Sequence, residues 1–130
     1  MTTEQALAGI TKHLELIYTQ AMWSDPEALS TEIVKLAIYN SQIANEISIL
    51  HKKATDKSYM IFVEAKSSGA AVTQASAMAR GESTEERESF EHLKNIYKAV
   101  ESVISVVQTR IRVIQGEIRS SGYQTEKPMS

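Results

Sequence analysis

The sequence predicts an all-α protein built on a long antiparallel helical hairpin with coiled-coil-like packing. A third helix is predicted at the N-terminus and a short helix at the hairpin tip. Apolar residues recur at alternating spacings of three and four over long stretches, which is the period of one helix face. Only two prolines and five glycines interrupt the 130 residues, so the helices should be long. The two longest stretches have similar lengths and flank a compact break, so they should fold back on each other.

The first helix is predicted over about residues 3–22. Thr2 and Gln5 match a capping box, in which side chains satisfy the first free backbone donors of a helix. The apolar residues that follow at helical spacing are Leu7, Ile10, Leu14, Ile17 and Ala21. The pair Asp25-Pro26 ends this segment, because aspartate can cap a new helix and proline suits a first helical position.

The second helix is predicted over about residues 31–66, with Ser30 as its cap. Its stripe at the same spacing comprises Ile33, Leu36, Asn40, Ile43, Ile47, Leu50, Ala54, Lys57 and Ile61. The segment 67–69, which is Ser-Ser-Gly, ends it. Thr73 could then cap a short alanine-rich helix that Gly81 closes.

The strongest helical signal lies in the last third of the chain. Ser83 and Glu86 match a second capping box. Apolar residues then alternate three and four apart over four heptads, which is typical of a coiled-coil seam. They are Phe90, Leu93, Tyr97, Val100, Ile104, Val107, Ile111, Ile114 and Ile118. The helix is predicted to end near Arg119, so one domain would span residues 1–122 and residues 123–130 would form a disordered tail.

The hairpin carries more apolar residues than two helices can bury. The first helix is long enough to cover only one half of the hairpin, so the half near the tip has two helices alone. The extra apolar positions are Ile96, Val103, Val106 and Val113. Self-association would bury them, and we therefore expect a homo-oligomer. A monomer whose tip helix covers the gap is the alternative.

Composition excludes several classes of site. The net charge is −2 and the pI is about 5.9, whereas a duplex-DNA binder usually has a clear basic excess. The absence of cysteine excludes disulfides, thiolate metal sites and cysteine nucleophiles, and it fits a reducing cytoplasm. We expect neither a signal peptide nor a membrane-spanning helix, because the N-terminus lacks a basic region before an apolar core and the apolar runs are short.

No motif in the chain indicates catalysis. The patterns HExxH, Glu-x-x-His, GxxxxGK[ST], GxGxxG and GxSxG are all absent. The three histidines are His13, His51 and His92, and only His92 has a carboxylate, Glu88, at helical spacing. Such a pair is more often solvated surface than a metal site. A Ser-His-Asp triad assembles in space, so sequence alone does not exclude one, but long helices rarely form the concave site it needs. We predict no enzyme activity, no metal and no cofactor.

An asparagine in the stripe of the second helix marks a candidate ligand site. A buried amide costs stability unless it is hydrogen-bonded, and in coiled coils such a residue often fixes register or oligomeric state. A ligand contact is the alternative, because antiparallel pairing places Asn40 beside Ile111, between two arginines. The candidate ligand-binding residues are Tyr39, Asn40, Arg110, Arg112, His13 and Tyr18. Guanidinium groups pair with phosphates and aromatic faces stack on bases, so this set suits an anionic planar ligand. If no ligand binds, the arginines complement the negative end of the helix and stay solvated.

A small basic run gives a weaker indication of nucleic-acid binding. The run 51–53 and Lys57 precede two aromatic residues, Tyr59 and Phe62. Single-stranded nucleic acid is bound by basic grooves with interleaved aromatic side chains. A solvated helix face explains the same pattern and is favoured, so nucleic-acid binding is not the leading prediction.

Three stretches resemble sequences of small helical early-region proteins of bacteriophages and prophages, which lie near recombination and counter-defence genes. They are EIVKLAIYNSQIANEI at 32–47, GAAVTQASAMARGESTEER at 69–87 and YKAVESVISVVQTRIRVIQGEIRSSG at 97–122. The resemblance implies a phage origin and a role in the cytoplasm of the infected bacterium. It carries over no catalytic or binding residues.

The leading hypothesis is a non-enzymatic phage counter-defence protein that acts by stoichiometric binding. In this hypothesis an oligomer sequesters an anionic nucleotide immune signal, held between subunits by Arg110, Arg112 and Tyr39. A protein-binding inhibitor such as an anti-CRISPR is one alternative. A DNA recombination accessory or single-strand-binding protein is another, and a purely structural coiled coil is the last.

Overall fold

All elements of the described chain are α-helices, which confirms the prediction of an all-α protein. A computed structural model describes the backbone of residues 1–126 and the side chains of residues 1–119. The helices are α1 (Thr3–Ile17), α2 (Gln20–Trp23), α3 (Pro26–Ser67), α4 (Val72–Glu82) and α5 (Thr84–Glu126). Helix α5 therefore continues past Arg119, where its end was predicted. It includes the first part of the predicted tail, and residues 127–130 lie outside the described residues.

The contacts of the chain divide it into two compact units. The terminal unit comprises Met1–Gln42 and Lys98–Ser130, and the central unit comprises Ile43–Tyr97. Helices α1 and α2 belong to the terminal unit and α4 belongs to the central unit, whereas α3 and α5 contribute to both. The single domain over residues 1–122 stays a prediction.

The segment predicted as one N-terminal helix forms two helices. The capping box is confirmed: Thr2 N donates to Gln5 Oε1 at 2.9 Å, and Gln5 N donates to Thr2 Oγ1 at 3.1 Å. Thr19 interrupts the helix, because its backbone is extended and its hydroxyl accepts from Met22 N at 3.4 Å. The same hydroxyl donates to Leu16 O at 2.8 Å, so one side chain ends α1 and begins α2.

Helix α3 begins five residues earlier than predicted. Asp25 Oδ1 accepts from the backbone N–H groups of Glu27 at 3.1 Å and Ala28 at 3.2 Å. Pro26 is the first helical residue, so the predicted roles of Asp25 and Pro26 are confirmed. The predicted Ser30 cap is wrong: its hydroxyl donates to Pro26 O at 2.8 Å from inside the helix.

Asp25 and Ser30 provide a matched test of where α3 begins. Replacing Asp25 by alanine should lower the free energy of unfolding by about 1 kcal/mol, because two backbone donors lose their acceptor. Ser30→Ala removes only a bond to a carbonyl already within the helix, so it should change stability by less than about 0.5 kcal/mol. Urea unfolding followed by circular dichroism measures both. Equal losses in the two variants would contradict the assignment of the cap.

Glycine closes α3 in a Schellman motif. Gly69 has φ of 92°, a left-handed conformation that favours glycine. Its N–H donates to Lys66 O at 3.1 Å, and Ala70 N donates to Ala65 O at 3.0 Å. These bonds satisfy carbonyls that the end of the helix would leave free. The predicted end of α3 at this glycine is confirmed.

The predicted caps around α4 are wrong. The N-cap position of α4 is Ala71, which makes no side-chain cap bond, so Thr73 lies inside the helix. Gly81 also lies inside α4 and does not close it. Ser83 is buried at the C-terminal cap, where its hydroxyl donates to Ala79 O at 2.7 Å instead of capping α5. Because Glu86 pairs with a lysine of α3, the second capping box does not form.

Helices α3 and α5 contact each other within the central unit. The rings of His51 and Phe90 lie 5.0 Å apart, and Lys57 Nζ donates to Glu86 Oε1 at 2.7 Å. This hydrogen bond holds the pKa of the Glu86 carboxyl below its ordinary value and raises the pKa of Lys57. The predicted register would place Ala99 opposite His51. In the structure His51 contacts Phe90 instead.

Small and branched side chains fill the two cores. Buried alanines of the central unit are Ala54, Ala65, Ala75 and Ala79. Buried apolar residues of the terminal unit are Ala6, Ile10, Ile17, Leu29, Leu36, Val100, Val107, Ile111 and Ile114. The last residue of the predicted α5 seam, Ile118, is 60% exposed. Among residues 1–126, no helix combines the length and the apolar content that crossing a membrane requires.

Candidate functional site

The six predicted ligand-binding residues all belong to the terminal unit, and their side-chain contacts fall into two groups. The rings of His13 and Tyr39 stack on each other. Asn40, which follows Tyr39 in the sequence, is buried. Tyr18 and Arg110 both contact Trp23, which sequence reasoning did not select. Arg112 is exposed on α5. We call the group of His13, Tyr39 and Asn40 the His13 cluster. We call the group of Tyr18, Trp23 and Arg110 the Trp23 stack.

The His13 cluster contains a buried hydrogen-bonding partner that was not predicted. Nδ1 of His13, on α1, donates to Oε2 of Glu32, on α3. The two side chains are only 9% and 7% exposed, respectively. Lys35 Nζ lies 3.4 Å from the other oxygen of Glu32. This pair ties α1 to α3 in the interior of the terminal unit.

Tyr39 completes the cluster by packing against α1. Its ring lies 5.6 Å from the His13 ring, with an angle of 25° between the planes. A Cβ atom on Gly9 would lie 2.5 Å from Cζ of Tyr39, well inside van der Waals contact. Only glycine lets the tyrosine ring lie directly on the backbone of α1. The cluster is therefore part of the packing between α1 and α3.

Glu32 escaped prediction because the start of α3 was placed too late. With a start at residue 31, an acidic side chain at 32 lies in the first turn, where it complements the helix dipole. With the start at Pro26, Glu32 falls four residues before Leu36 and eight before Asn40, on the buried face. A carboxylate at a buried position indicates a partner on a neighbouring helix.

Asn40 occupies the core position that the stripe predicted. It is 4% exposed, and Leu36 and Ile43 on either side of it are fully buried. Its amide lies within the packed interior, as His13 does. These two members of the predicted site are thus less accessible to a ligand than Tyr18, which is 59% exposed.

The Trp23 stack joins an aromatic pair to a guanidinium group. The rings of Tyr18 and Trp23 lie 5.5 Å apart with an angle of 24° between them. Cζ of Arg110 lies 5.7 Å from the centre of the Trp23 ring, and Arg110 Nε donates to Trp23 O at 3.1 Å. Cation–π contact and this hydrogen bond together hold the guanidinium plane. The bond uses one of the five N–H donors of the group.

The two arginines that were predicted to flank Asn40 lie on different faces of α5. Residues two apart on an α-helix are separated by about 200° around its axis, so they do not face the same neighbour. Arg110 is half-buried at the stack, whereas Arg112 is exposed. A single chain therefore presents one arginine at the stack and the other away from it.

Among the described side chains, those of residues 1–119, no three His, Asp or Glu groups lie close enough together to hold a metal ion. Comparison with protein-family models, with curated proteins and with solved structures gave no match for this chain.

Proposed function

We propose that this protein is a non-enzymatic, stoichiometric binder of an anionic nucleotide and that the Trp23 stack is its binding site. The observation that carries the proposal is the combination of an exposed tyrosine ring with an oriented guanidinium group. Tyr18 is 59% exposed, and Arg110 is fixed over Trp23 by a hydrogen bond of 3.1 Å. Planar and anionic parts of one ligand would meet both groups at once.

The chemistry of the stack suits a nucleotide base and its phosphate. Aromatic side chains bind bases by stacking on their faces. Guanidinium groups bind phosphate oxygens through paired, charge-assisted hydrogen bonds. Because Trp23 already holds Arg110 in place, the arginine side chain would lose little conformational freedom when a ligand binds. Preorganisation of this kind raises affinity. No catalytic group is required, since sequestration uses binding alone.

Self-association is part of the same proposal. Val106 is 51% exposed and Val113 is 45% exposed, and residues seven apart lie on one face of a helix. Ile96 and Val103 are half-buried. Association of two or more chains would cover this face, and it would bring Arg112, which precedes Val113, close to the subunit boundary. A second guanidinium would then reach the ligand from a neighbouring chain.

We also propose that α3 and α5 form one antiparallel hairpin. The pairing of α3 and α5 in the central unit would continue through the terminal unit as a coiled-coil-like hairpin. Burial of seam residues in both units supports it: Leu93 is 7% exposed in the central unit, and Val107 is fully buried in the terminal unit.

The biological setting follows from the resemblance to early-region phage proteins. We place the protein in the cytoplasm of an infected bacterium, where it would sequester a nucleotide signal of antiviral defence. Removal of a signal by binding needs an abundant protein and no turnover. In this setting the Trp23 stack would only need to bind an anion, and neither a nucleophile nor a metal would be required.

The test is a thermal-shift screen with cyclic and ADP-ribose-like nucleotides. One of them should raise the melting temperature, because a ligand that binds only the folded state stabilises it. The shift should disappear in Tyr18→Ala and Arg110→Ala, which remove the two ligand contacts of the stack. It should weaken in Arg112→Ala, which removes the guanidinium supplied by a neighbouring chain. Lys98→Ala is the control, since this exposed residue of α5 lies about 18 Å along the helix axis from Arg110. No shift with any nucleotide of the panel would remove the proposal.

Native mass spectrometry of the same samples reports subunit count and ligand stoichiometry together. We expect more than one chain per particle, with nucleotide bound in fixed proportion to chains. Val106→Glu should dissociate the particle, because a charge would enter the buried face. A monomer at micromolar concentration in the unmodified protein would refute self-association.

A protein-binding inhibitor, such as an anti-CRISPR, is a second candidate. Val34 is 58% exposed and Ile38 is 55% exposed, and residues four apart lie on the same face of α3. Exposed apolar rows of this kind mark protein interaction sites. Co-purification of one host protein at fixed stoichiometry, lost in Val34→Glu, would favour this function over nucleotide binding.

A further inference from the structure

The central unit contains an open groove of about 660 Å³. Side chains of α3, α4 and α5 line it, and all of them belong to the central unit. Pockets that bind small molecules commonly have volumes of about 300–1,000 Å³. No residue of the Trp23 stack or of the His13 cluster lines this groove. It is therefore a separate place on the molecule.

The groove has apolar walls and a floor of small side chains. Its aromatic residues include Phe62 and Phe90, both half-buried, and Tyr59, which is 68% exposed. Ala79 and Ser83 also line it and are buried, and the Ser83 hydroxyl is already bonded to the Ala79 carbonyl. Small residues leave room between the rings. A flat apolar body fits such walls better than a bulky or strongly polar one.

Phe90 is held in place from within its own unit. Its ring lies 5.0 Å from that of His51, which also lines the groove. Lys94 Nζ lies 5.6 Å from the centre of the Phe90 ring. A ring that is held by two neighbours loses little freedom when a ligand contacts it, so it is a suitable wall for a binding site.

Two arginines give the groove a positive charge on an acidic protein. Arg80 and Arg87 both line it, and Glu91 is the one acidic residue among the lining side chains. The net charge of the chain is −2, so the positive groove contrasts with the charge of the whole molecule. Two guanidinium groups at one groove repel each other, and a shared anion relieves that repulsion.

Local bonds position one of these arginines. Arg87 Nη2 donates to the backbone carbonyl of Arg80, and it also donates to Thr84 Oγ1 at 3.3 Å. The Arg87 group is thus tied to the C-terminal part of α4. The side chain of Arg80 is exposed. One guanidinium is fixed at the groove and the other can adjust to what binds there.

We propose that this groove is a second ligand site, which takes an organic anion with a flat apolar body. The body would lie against Phe62, Phe90 and Tyr59, and the anionic group would bind to Arg80 and Arg87. Aryl sulfonates, aryl carboxylates and aryl phosphates share this chemistry. The site is independent of the Trp23 stack, because the two have no residue in common.

The probe is the fluorescent dye anilinonaphthalene sulfonate, titrated into the full-length folded protein. We expect a saturable rise in fluorescence at one dye per chain. Arg87→Gln and Arg80→Gln should each weaken dye binding about tenfold, since each removes a charge-assisted bond. Phe62→Ala should weaken it by a similar factor through lost ring contact. Uncharged phenylnaphthylamine should bind more weakly, with an affinity that the arginine substitutions do not change.

The controls separate a specific site from general dye adsorption. Lys98→Gln removes an exposed cation of the terminal unit that belongs to neither site, and it should leave the dye titration unchanged. Circular dichroism melts of every variant show whether the fold is retained; Arg80→Gln, an exposed substitution, keeps the test valid if Arg87→Gln unfolds. Non-saturable binding, or equal affinity in the unmodified protein and Arg80→Gln, would overturn the proposal. The variants distinguish the two proposals, because Tyr18→Ala tests the Trp23 stack and Arg80→Gln tests the groove, and the two sites have no residue in common.

Discussion

Gly9→Ala should destabilise the protein by about 1–2 kcal/mol. Alanine is the better helix former by about 1 kcal/mol, so propensity alone predicts the opposite sign. The clash outweighs it, because the added methyl group would lie 2.5 Å from Cζ of Tyr39 and 2.6 Å from Cε1. The ring would have to leave both the α1 backbone and the face of His13.

Gly116→Ala is the matched control for this substitution. Gly116 lies in α5, and a Cβ atom there would meet nothing within 4 Å. This variant should therefore raise the free energy of unfolding, by up to about 1 kcal/mol. Urea unfolding measures both variants, and Tyr39→Ala combined with Gly9→Ala should cost less than the sum of the single changes. If Gly9→Ala stabilised the protein as Gly116→Ala does, the close contact with Tyr39 would be disproved.

Glu32→Ala should cost about 2–4 kcal/mol of unfolding free energy. The substitution leaves His13 without its carboxylate partner, and the histidine side chain is only 9% exposed, so water cannot fully replace the lost bond. The same loss is expected for His13→Ala, which leaves the Glu32 carboxylate in the interior. Replacement of both residues by leucine should recover much of the stability, because neither polar group then remains buried.

A double-mutant cycle separates the pair from its surroundings. Glu32→Ala and His13→Ala together should cost at least about 1 kcal/mol less than the sum of the single variants. Glu64→Ala is the control on the same helix, since Glu64 is exposed and should cost less than about 0.5 kcal/mol. A loss in Glu32→Ala no larger than in Glu64→Ala would show that the buried bond contributes nothing.

Local chemistry explains which helix boundaries could be predicted. The Thr2–Gln5 box, Asp25-Pro26 and Gly69 all act within a few residues of the chain, and all three form as predicted. Ser83 and Glu86 fit the same kind of pattern but do not form it. The Ser83 hydroxyl bonds back into α4, and Glu86 pairs with Lys57, 29 residues away. A sequence pattern shows what a side chain can bond but not which partner tertiary packing supplies.

In the candidate site, too, local features could be predicted and long-range contacts could not. Asn40 was placed correctly in the core because the apolar spacing around it is local and regular. Trp23 was overlooked, since its importance lies in a contact with Arg110, 87 residues along the chain. Arg110 and Arg112 were grouped by adjacency in sequence, although the turn of the helix separates them. Long-range pairing of side chains, rather than helix formation, was the part that the sequence did not reveal.

The division of the chain into two units has a consequence for synthesis on the ribosome. Residues 43–97 form the central unit from one continuous segment, so all its contacts are available before the last part of α5 is made. The terminal unit needs residues from both ends, and Trp23 must wait for Arg110. Until then the core of the terminal unit lacks its buried α5 residues, which are Val100, Val107, Ile111 and Ile114. Nascent chains stalled before residue 98 should therefore be the species that chaperones and proteases recognise.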